Sequence, residues 1–472
     1  MRKTIVFLFL LFVATTAQSQ QYTLLECVQI ALDKNIAVKQ SEFDVENAEI
    51  AKADAVGNFL PNLNASASHS WNIGLNQNIT TGILEDVTTQ FTSMGASLGL
   101  DMYKGLQNVN QLHRANLNIL AQQYRLDDMK DDVMLLVANA YLQVKFNKEQ
   151  VSAQQLQVEV TQQDIENTKI QIDAGTVVPN EIYELEANLA SQQQELIRLQ
   201  NLQRISTINL AQLLLIEDYE NFDIADEDFD VPFSEILSKN PKEIFEKALT
   251  LRNDIKLSET NLAIAEKDLA IAKGALQPSL RGFYSYSSRF SYSDRLVPGE
   301  GFDEFPIGFV EGTNTPVLSR RAQTKVVGPL PLSEQFGLND GHNFGLQLQV
   351  PIFNRGAARN QVKRSRVNIL RSETALEQQR LDLESAINQA YNDAKGAFAF
   401  YEAAQKTLFF REQAREVARS RFELGVINIF DFVQVNQRYE AAVTNAIRAK
   451  YDYIFKLKVI EFYFGVPIST VN

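Results

Sequence analysis

The sequence predicts a membrane α+β protein made of two copies of one unit. Its strands complete a β-barrel only when chains associate, and its helices are long enough for a coiled-coil barrel. Three observations carry this expectation: internal similarity at fixed spacings, four runs of period-two alternation, and two proline-free stretches of more than 60 residues.

The first element is a targeting segment. Arg2 and Lys3 precede an uninterrupted apolar stretch from Ile5 to Ala14, followed by Ala17-Gln18-Ser19. A charged start, a short apolar centre and small residues at −3 and −1 describe a secretory signal peptide over 1–19, cleaved after Ser19. No later apolar run approaches the ~20 residues of a membrane-spanning helix, so a membrane location must rest on strands. Cys27 is preceded by Glu26 where a lipidation signal needs a small residue, so we read it as a helix residue. With 45 basic and 58 acidic side chains among 472 residues, the formal charge of −13 argues against nucleic acid as a partner. One cysteine and three histidines (His69, His113, His342) assemble no zinc cluster or disulfide framework, so neither a metal nor another cofactor is expected.

The duplication fixes the domains. Ala140-Tyr141 recurs as Ala390-Tyr391, Gly175 as Gly425 and Glu181 as Asp431, all at a spacing of 250. Nearer the start of each unit, Ala31-Leu32 pairs with Ala248-Leu249, Gly57 with Gly274 and Pro61 with Pro278, at 217. The second copy therefore carries 33 extra residues, placed within Leu296 to Gln335, where ten prolines and glycines predict a loop. Repeat 1 covers 20–216 and repeat 2 covers 242–472. Between them, 217–241 is rich in Asp and Glu and reads as an exposed acidic connector.

Each repeat contributes two strands, about 63–76 and 91–103, then about 279–292 and 343–353. Leu63, Ala65, Ala67, His69 and Trp71 share one face while Asn64, Ser66, Ser68 and Ser70 share the other, and the remaining runs alternate likewise. Each has the ~9–11 residues of a tilted bilayer-crossing strand. Such alternation also suits a soluble sandwich. Small polar residues on one face and the aromatics Tyr284, Tyr286, Phe290 and Tyr292 on the other favour a water-filled lumen inside a membrane. Four strands are too few to close, since small barrels need about eight, whereas three chains would supply twelve.

The long helices are predicted at 106–174 and 357–424, each stopped by a glycine and followed by a returning helix, at 180–215 and 430–464. Leu126, Met129, Val133, Leu136, Ala140 and Val144 recur at three- and four-residue steps, as coiled-coil packing requires. The glutamines Gln154, Gln155, Gln157, Gln162, Gln163 and Gln171 are read as a polar surface.

In this order, helix, strand, loop, strand, very long helix, tight turn and returning helix, twice over, the chain resembles the TolC-type outer-membrane efflux protein family. The resemblance rests on Thr23-Leu24-Leu25-Glu26-Cys27 with Ala31-Leu32 and Asn35, on Leu60-Pro61-Asn62-Leu63, on Val350-Pro351-Ile352-Phe353, and on the turns Ala174-Gly175-Thr176 and Leu424-Gly425-Val426. Asp101 stands where the second copy has Pro351. The resemblance implies a homotrimer with a twelve-stranded barrel in the outer membrane, in contact with its lipid, continued by a periplasmic tunnel of helices. It implies a passive exit duct in efflux or secretion, docked by a periplasmic adaptor that links it to an inner-membrane pump. The adaptor-docking tips would be Gly175, Thr176, Val177, Gly425, Val426 and Ile427. The narrow, cation-attracting entrance would involve Asp431, with Glu181 and Glu184 in the first copy. Gln434 replaces a further family acid, and Phe422 and Ile427 stand where family entrance-locking contacts use an aromatic hydroxyl and an arginine.

Enzyme readings are weak, and the chain is expected not to be one. Gly95-Ala96-Ser97-Leu98-Gly99 fits G-x-S-x-G, but Ser97 lies within a strand rather than at a strand-to-helix elbow. Asp226, Asp228 and Asp230 suggest a calcium loop, yet Val231 and Leu237 occupy its glycine and glutamate places. No P-loop occurs. The main rival is a structural trimeric coiled-coil surface protein, which accounts for the helices but less well for two strand pairs at matching places.

Overall fold

A computed structural model of the chain describes residues 21–77, 82–86, 88–175, 177–226 and 235–466. The expected signal peptide, Thr176, and Glu227, Asp228 and Asp230 of the connector lie outside the described residues.

From the N-terminus, β1 (Gln21–Tyr22), α1 (Leu24–Lys34) and α2 (Ile36–Gly57) lead to β2 (Asn62–Asn72). The short β3 (Leu75–Gln77) and β4 (Leu84–Asp86) precede β5 (Thr89–Lys104), after which α3 (Gln107–Asp173) and α4 (Ile182–Leu213) form a helical hairpin. The second copy follows β6 (Asp223–Ile224) with α5 (Pro241–Leu251), α6 (Asn253–Gly274) and β7 (Ser279–Ser291). Next come β8 (Arg295–Phe309), β9 (Pro316–Val327), α7 (Leu332–Leu338) and β10 (Asp340–Gln349), then the hairpin of α8 (Ala357–Glu423) and α9 (Ile429–Phe464). At ~1.5 Å per residue, the 67 residues of α3 or of α8 extend about 100 Å.

The chain divides into two compact units. One, formed by 51–115 and 266–367, holds an antiparallel sheet in the order β10-β7-β5-β2. Its register keeps the two faces distinct. Leu63, Leu98, Tyr284 and Phe344 form one row across all four strands, and Asn64, Ser97, Ser285 and Asn343 form the next, on the opposite side. Ser97 is thus a mid-strand residue, which removes the elbow that a hydrolase nucleophile needs. The outer edges of β10 and β2 have no partner strand among the described residues. Where β5 gives way to α3, Gly105 adopts φ +59 and presses against Gly274, with a side chain at either position colliding with the other's carbonyl.

Two differences from the sequence reading arise here. The insertion is an antiparallel ribbon of β8 and β9 followed by α7, not a loop, because several of its prolines and glycines sit at ribbon ends or at the register shifts near Pro298 and Pro306. The last strand stops at Gln349, before the Pro351 that lacks a backbone donor.

The other unit, formed by the described residues of 21–50, 116–265 and 368–466, is mainly helical. Its helix starts are locally specified. Thr23 and Glu26 make a capping box on α1, Asn35 Oδ1 accepts the Ala37 amide (2.8 Å) at α2, and Asn240 caps α5 with Pro241 behind it. Two apolar clusters repeat the duplication, one around Cys27, Ala31, Val137, Tyr141 and Leu214, the other around Ile244, Ala248, Ile387, Tyr453 and Leu457. The repeated tyrosines do equivalent work: Tyr141 Oη donates to the Tyr22 carbonyl (3.4 Å) and Tyr391 Oη to that of Leu237 (3.0 Å).

The acidic connector is not wholly exposed. β6 pairs with β1 in parallel, and Phe222 and Ile224 are buried in the first cluster. Lys148 reaches Asp223 and the buried Lys145 reaches Asp226, each at 2.6 Å, and the latter contact holds the Asp226 carboxyl below the usual carboxylate range. Two apolar residues among many acids suffice to dock the segment, which composition alone conceals. At the α5–α6 corner Arg252 reaches Asp254 (3.2 Å) and Asp128 of α3 (3.4 Å), while Asn253 donates to Asp131 (3.2 Å).

Candidate functional site

The two helical hairpins end in glycine turns. Gly175 (φ +74) and Gly425 (φ +69) adopt the left-handed conformation that closes a helix. At the second turn Val426 N donates to the Arg421 carbonyl (2.8 Å) and Gly425 N to that of Phe422 (2.9 Å), which satisfies two end carbonyls. Gly175, Gly425 and Val426 are exposed, Val177 is half-buried, and Thr176 is outside the described residues. Ile427 is half-buried against the apolar cluster behind the tips, so it offers less free surface than its neighbours.

The returning helices begin differently. Asn428 caps α9, its Oδ1 accepting the Asp431 amide at 2.8 Å, which leaves the Asp431 carboxylate exposed and free of capping work. In the first copy a turn at Pro179–Glu181 precedes α4 without a side-chain cap. Glu181 stands at that junction and Glu184 in the first turn of α4, where the helix dipole favours an anion. Among the described residues none of the three carboxylates has an ion-pair partner. The structure thus brings Glu181, Glu184 and Asp431 to the same kind of position, the first turn after a tip.

Behind the tips the hairpins are locked to each other. Ile165, Leu185, Ala418, Phe422, Ile429, Phe432 and Val433, one or more from each of the four long helices, form a buried cluster in which the Phe422 and Phe432 rings stack at 5.0 Å and 4°. Phe422, which lacks the hydroxyl noted above, therefore acts through packing. Beside it, Arg419 Nη2 donates to Asp164 Oδ1 at 2.6 Å, and that bond holds the guanidinium more firmly protonated. Farther along, Gln192 donates to Glu440 (2.8 Å), whose carboxyl burial pushes upward, and Gln437 to Asn188 (3.3 Å).

Sequence reading did not single out Asp164, Arg419, Gln192 or Glu440. Gln157, read as surface, is buried, and Gln154 donates to the Gln192 carbonyl at 3.1 Å. The available signal was the heptad position of these polar residues, which places them at a helix–helix seam. A cavity of about 310 Å³ opens beside this polar seam, lined in part by Gln157, Arg415 and Glu440.

The family model "Outer membrane efflux protein" matches residues 27–214 and 244–465. The pyoverdine export outer membrane protein OpmQ of Pseudomonas aeruginosa is 26% identical over 388 residues, 81% of this chain and 70% of that protein. Among solved structures, the CmeC outer membrane channel of Campylobacter jejuni aligns with TM-score 0.69 at 18% identity, covering 94% of this chain and 85% of CmeC. The outer membrane protein VceC of Vibrio cholerae aligns with TM-score 0.72 at 13% identity, covering 94% and 96%.

Proposed function

The chain belongs to the outer membrane efflux protein family, and on that premise we propose that three copies form a passive exit duct through the outer membrane, docked by a periplasmic adaptor at the helix-turn tips. Its location is the outer membrane, with the helical part in the periplasm. Family members are transporters rather than enzymes, and the energy for export would come from an inner-membrane pump reached through the adaptor.

One observation carries the reading: a four-stranded sheet with a continuous apolar row, a continuous polar row behind it, and two edges that have no partner strand among the described residues. In hydrocarbon each unpaired backbone group costs several kcal/mol, so the edges must be covered by another copy's strands. Twelve strands in a ring give an apolar outside and a lumen lined by Asn, Ser and Gly. In the helical unit, Asp431, Glu181 and Glu184 would form an acidic ring at a narrow entrance, and Gly175, Thr176, Val177, Gly425, Val426 and Ile427 would meet the adaptor. The relative named for pyoverdine export supports reading the duct as an export route.

The test is conductance of the purified mature chain in planar bilayers. Discrete cation-preferring channels are expected, with the preference reduced in Asp431→Ala. Absence of channels from protein extracted as an intact assembly would reject the duct.

A further inference from the structure

Between Asp340 and Glu373 the chain holds no acidic residue but six cations: Arg355, Arg359, Lys363, Arg364, Arg366 and Arg371. In a chain of formal charge −13, this is a local inversion of sign. The first five belong to the same unit as the sheet and are exposed, and among the described residues none has an ion-pair partner. Among the described residues Arg364 bonds only to the neutral Gln361. On α8 the stripe Ala358, Val362 and Ser365 is buried, and Arg359, Lys363 and Arg366 run beside it at the same i, i+4, i+7 steps.

These cations are kept against local cost. Arg355 adopts φ +57, a left-handed conformation that non-glycine residues rarely take; the first copy pairs Gly105 (φ +59) with Leu106 (φ +60) where the second has Arg355 and Gly356 (φ +76), so each copy places one non-glycine residue in this turn and only the second makes it a cation. Arg355 and Arg359 also sit at a helix start, where the dipole disfavours positive charge. The first copy is different: Val109, His113 and Asn116 replace Arg359, Lys363 and Arg366, and its one retained cation, Arg114, is neutralised by Asp268 at 3.1 Å.

What precedes the cations identifies their partner. Phe344, Leu346 and Leu348 are exposed along one side of β10, and Ile352 (93%) and Phe353 (84%) are exposed between the strand and Arg355. Chain order therefore runs from an apolar strand through an aromatic girdle position to a patch of cations, on the periplasmic side where the helices lie. That is the sequence of environments from hydrocarbon to headgroup in a bilayer. Guanidinium and ammonium groups bind phosphate oxygens strongly, arginine in a bidentate fork.

We propose that Arg355, Arg359, Lys363, Arg364 and Arg366 form a basic collar that binds headgroup phosphates of phospholipids in the periplasm-facing leaflet, and so fixes the depth of the sheet in the membrane. The collar rests on the outer-membrane location and stands whether or not the tips dock an adaptor.

The test compares the full mature chain with an Arg359→Gln/Lys363→Gln/Arg366→Gln variant in detergent with phosphatidylglycerol, counting lipids retained per chain by native mass spectrometry. Wild type is expected to retain phosphatidylglycerol, and the variant to lose about tenfold or more in retention, with unchanged retention of diacylglycerol and unchanged melting temperature. Arg359→Lys/Arg366→Lys keeps the charge and is expected to keep most of the lipid. Equal retention by wild type and the Gln variant would overturn the collar. So would a shift of the channel's ion preference toward cations in a neutral bilayer without loss of lipid, because the cations would then line the water-filled passage.

Discussion

Asp164 of α3 and Arg419 of α8 meet at 2.6 Å just behind the two tips, the carboxylate almost wholly buried and the guanidinium half-exposed. Residues 255 apart in sequence are thereby joined at the level where the first helical hairpin must stay in step with the second. Arg419→Met leaves a buried carboxylate without its donor. We expect a loss of about 2 kcal/mol, read as a lower melting temperature, and partial recovery when Asp164→Asn is added.

Asp431 and Asn428 separate two roles at one tip. Because the cap is made by the Asn428 side chain to the Asp431 amide, Asp431→Ala removes an exposed charge without removing the cap. Its cost should stay within the ~0.3–1 kcal/mol of a helix-terminal charge, while cation preference falls in single-channel recordings. Asn428→Ala should show the converse: a loss of about 1 kcal/mol and a looser tip, cut faster by protease, with the charge retained.

Asp128 makes stability depend on pH. Burial, against the opposing pull of Arg252 and with help from Asp254, Asp132 and Asp131, raises its carboxyl from 3.8 to about 6. The folded state then holds a proton that the unfolded state has released across that window. This contribution is therefore full at the acid end, declines as pH rises from about 4 to 6, and is gone above it. Asp128→Asn mimics the protonated form. We expect it to match wild type near pH 4 and to exceed it by about 1–2 kcal/mol at pH 7, screening included, in paired thermal melts.

Tyr391 tests the duplication. Its bond to the Leu237 carbonyl parallels that of Tyr141 to Tyr22, so Tyr391→Phe should cost about 1 kcal/mol with secondary structure unchanged by circular dichroism.

Elements with a strong period were legible in the sequence. The alternation of Leu63 to Trp71 and of Phe344 to Leu348 is a local property of side-chain order, and it yields the rows seen across the sheet. The glycine stops at Gly175 and Gly425 are local as well, since a positive φ needs only one residue. What sequence concealed depends on partners distant along the chain. The Asp164–Arg419 bond and the burial of Gln157 require knowing which helix faces which, and the docking of Phe222 and Ile224 is hidden by surrounding acids. The β8–β9 ribbon was masked because prolines and glycines that usually mark loops here sit at ribbon ends and register shifts. Of the candidate site, Asp431, Glu181 and Glu184 came from the family resemblance, with only the Glu181–Asp431 match visible in the repeat spacing; the lock behind them came from neither.

The duct depends on copies of the chain closing the open sheet. Its most direct test is the mass of the mature chain extracted from outer membranes in detergent, measured by light scattering with the detergent contribution subtracted. Three chains per particle are expected. A monomer, stable in water without detergent, would mean that the row from Leu63 to Phe344 belongs to an ordinary sheet and would contradict the duct.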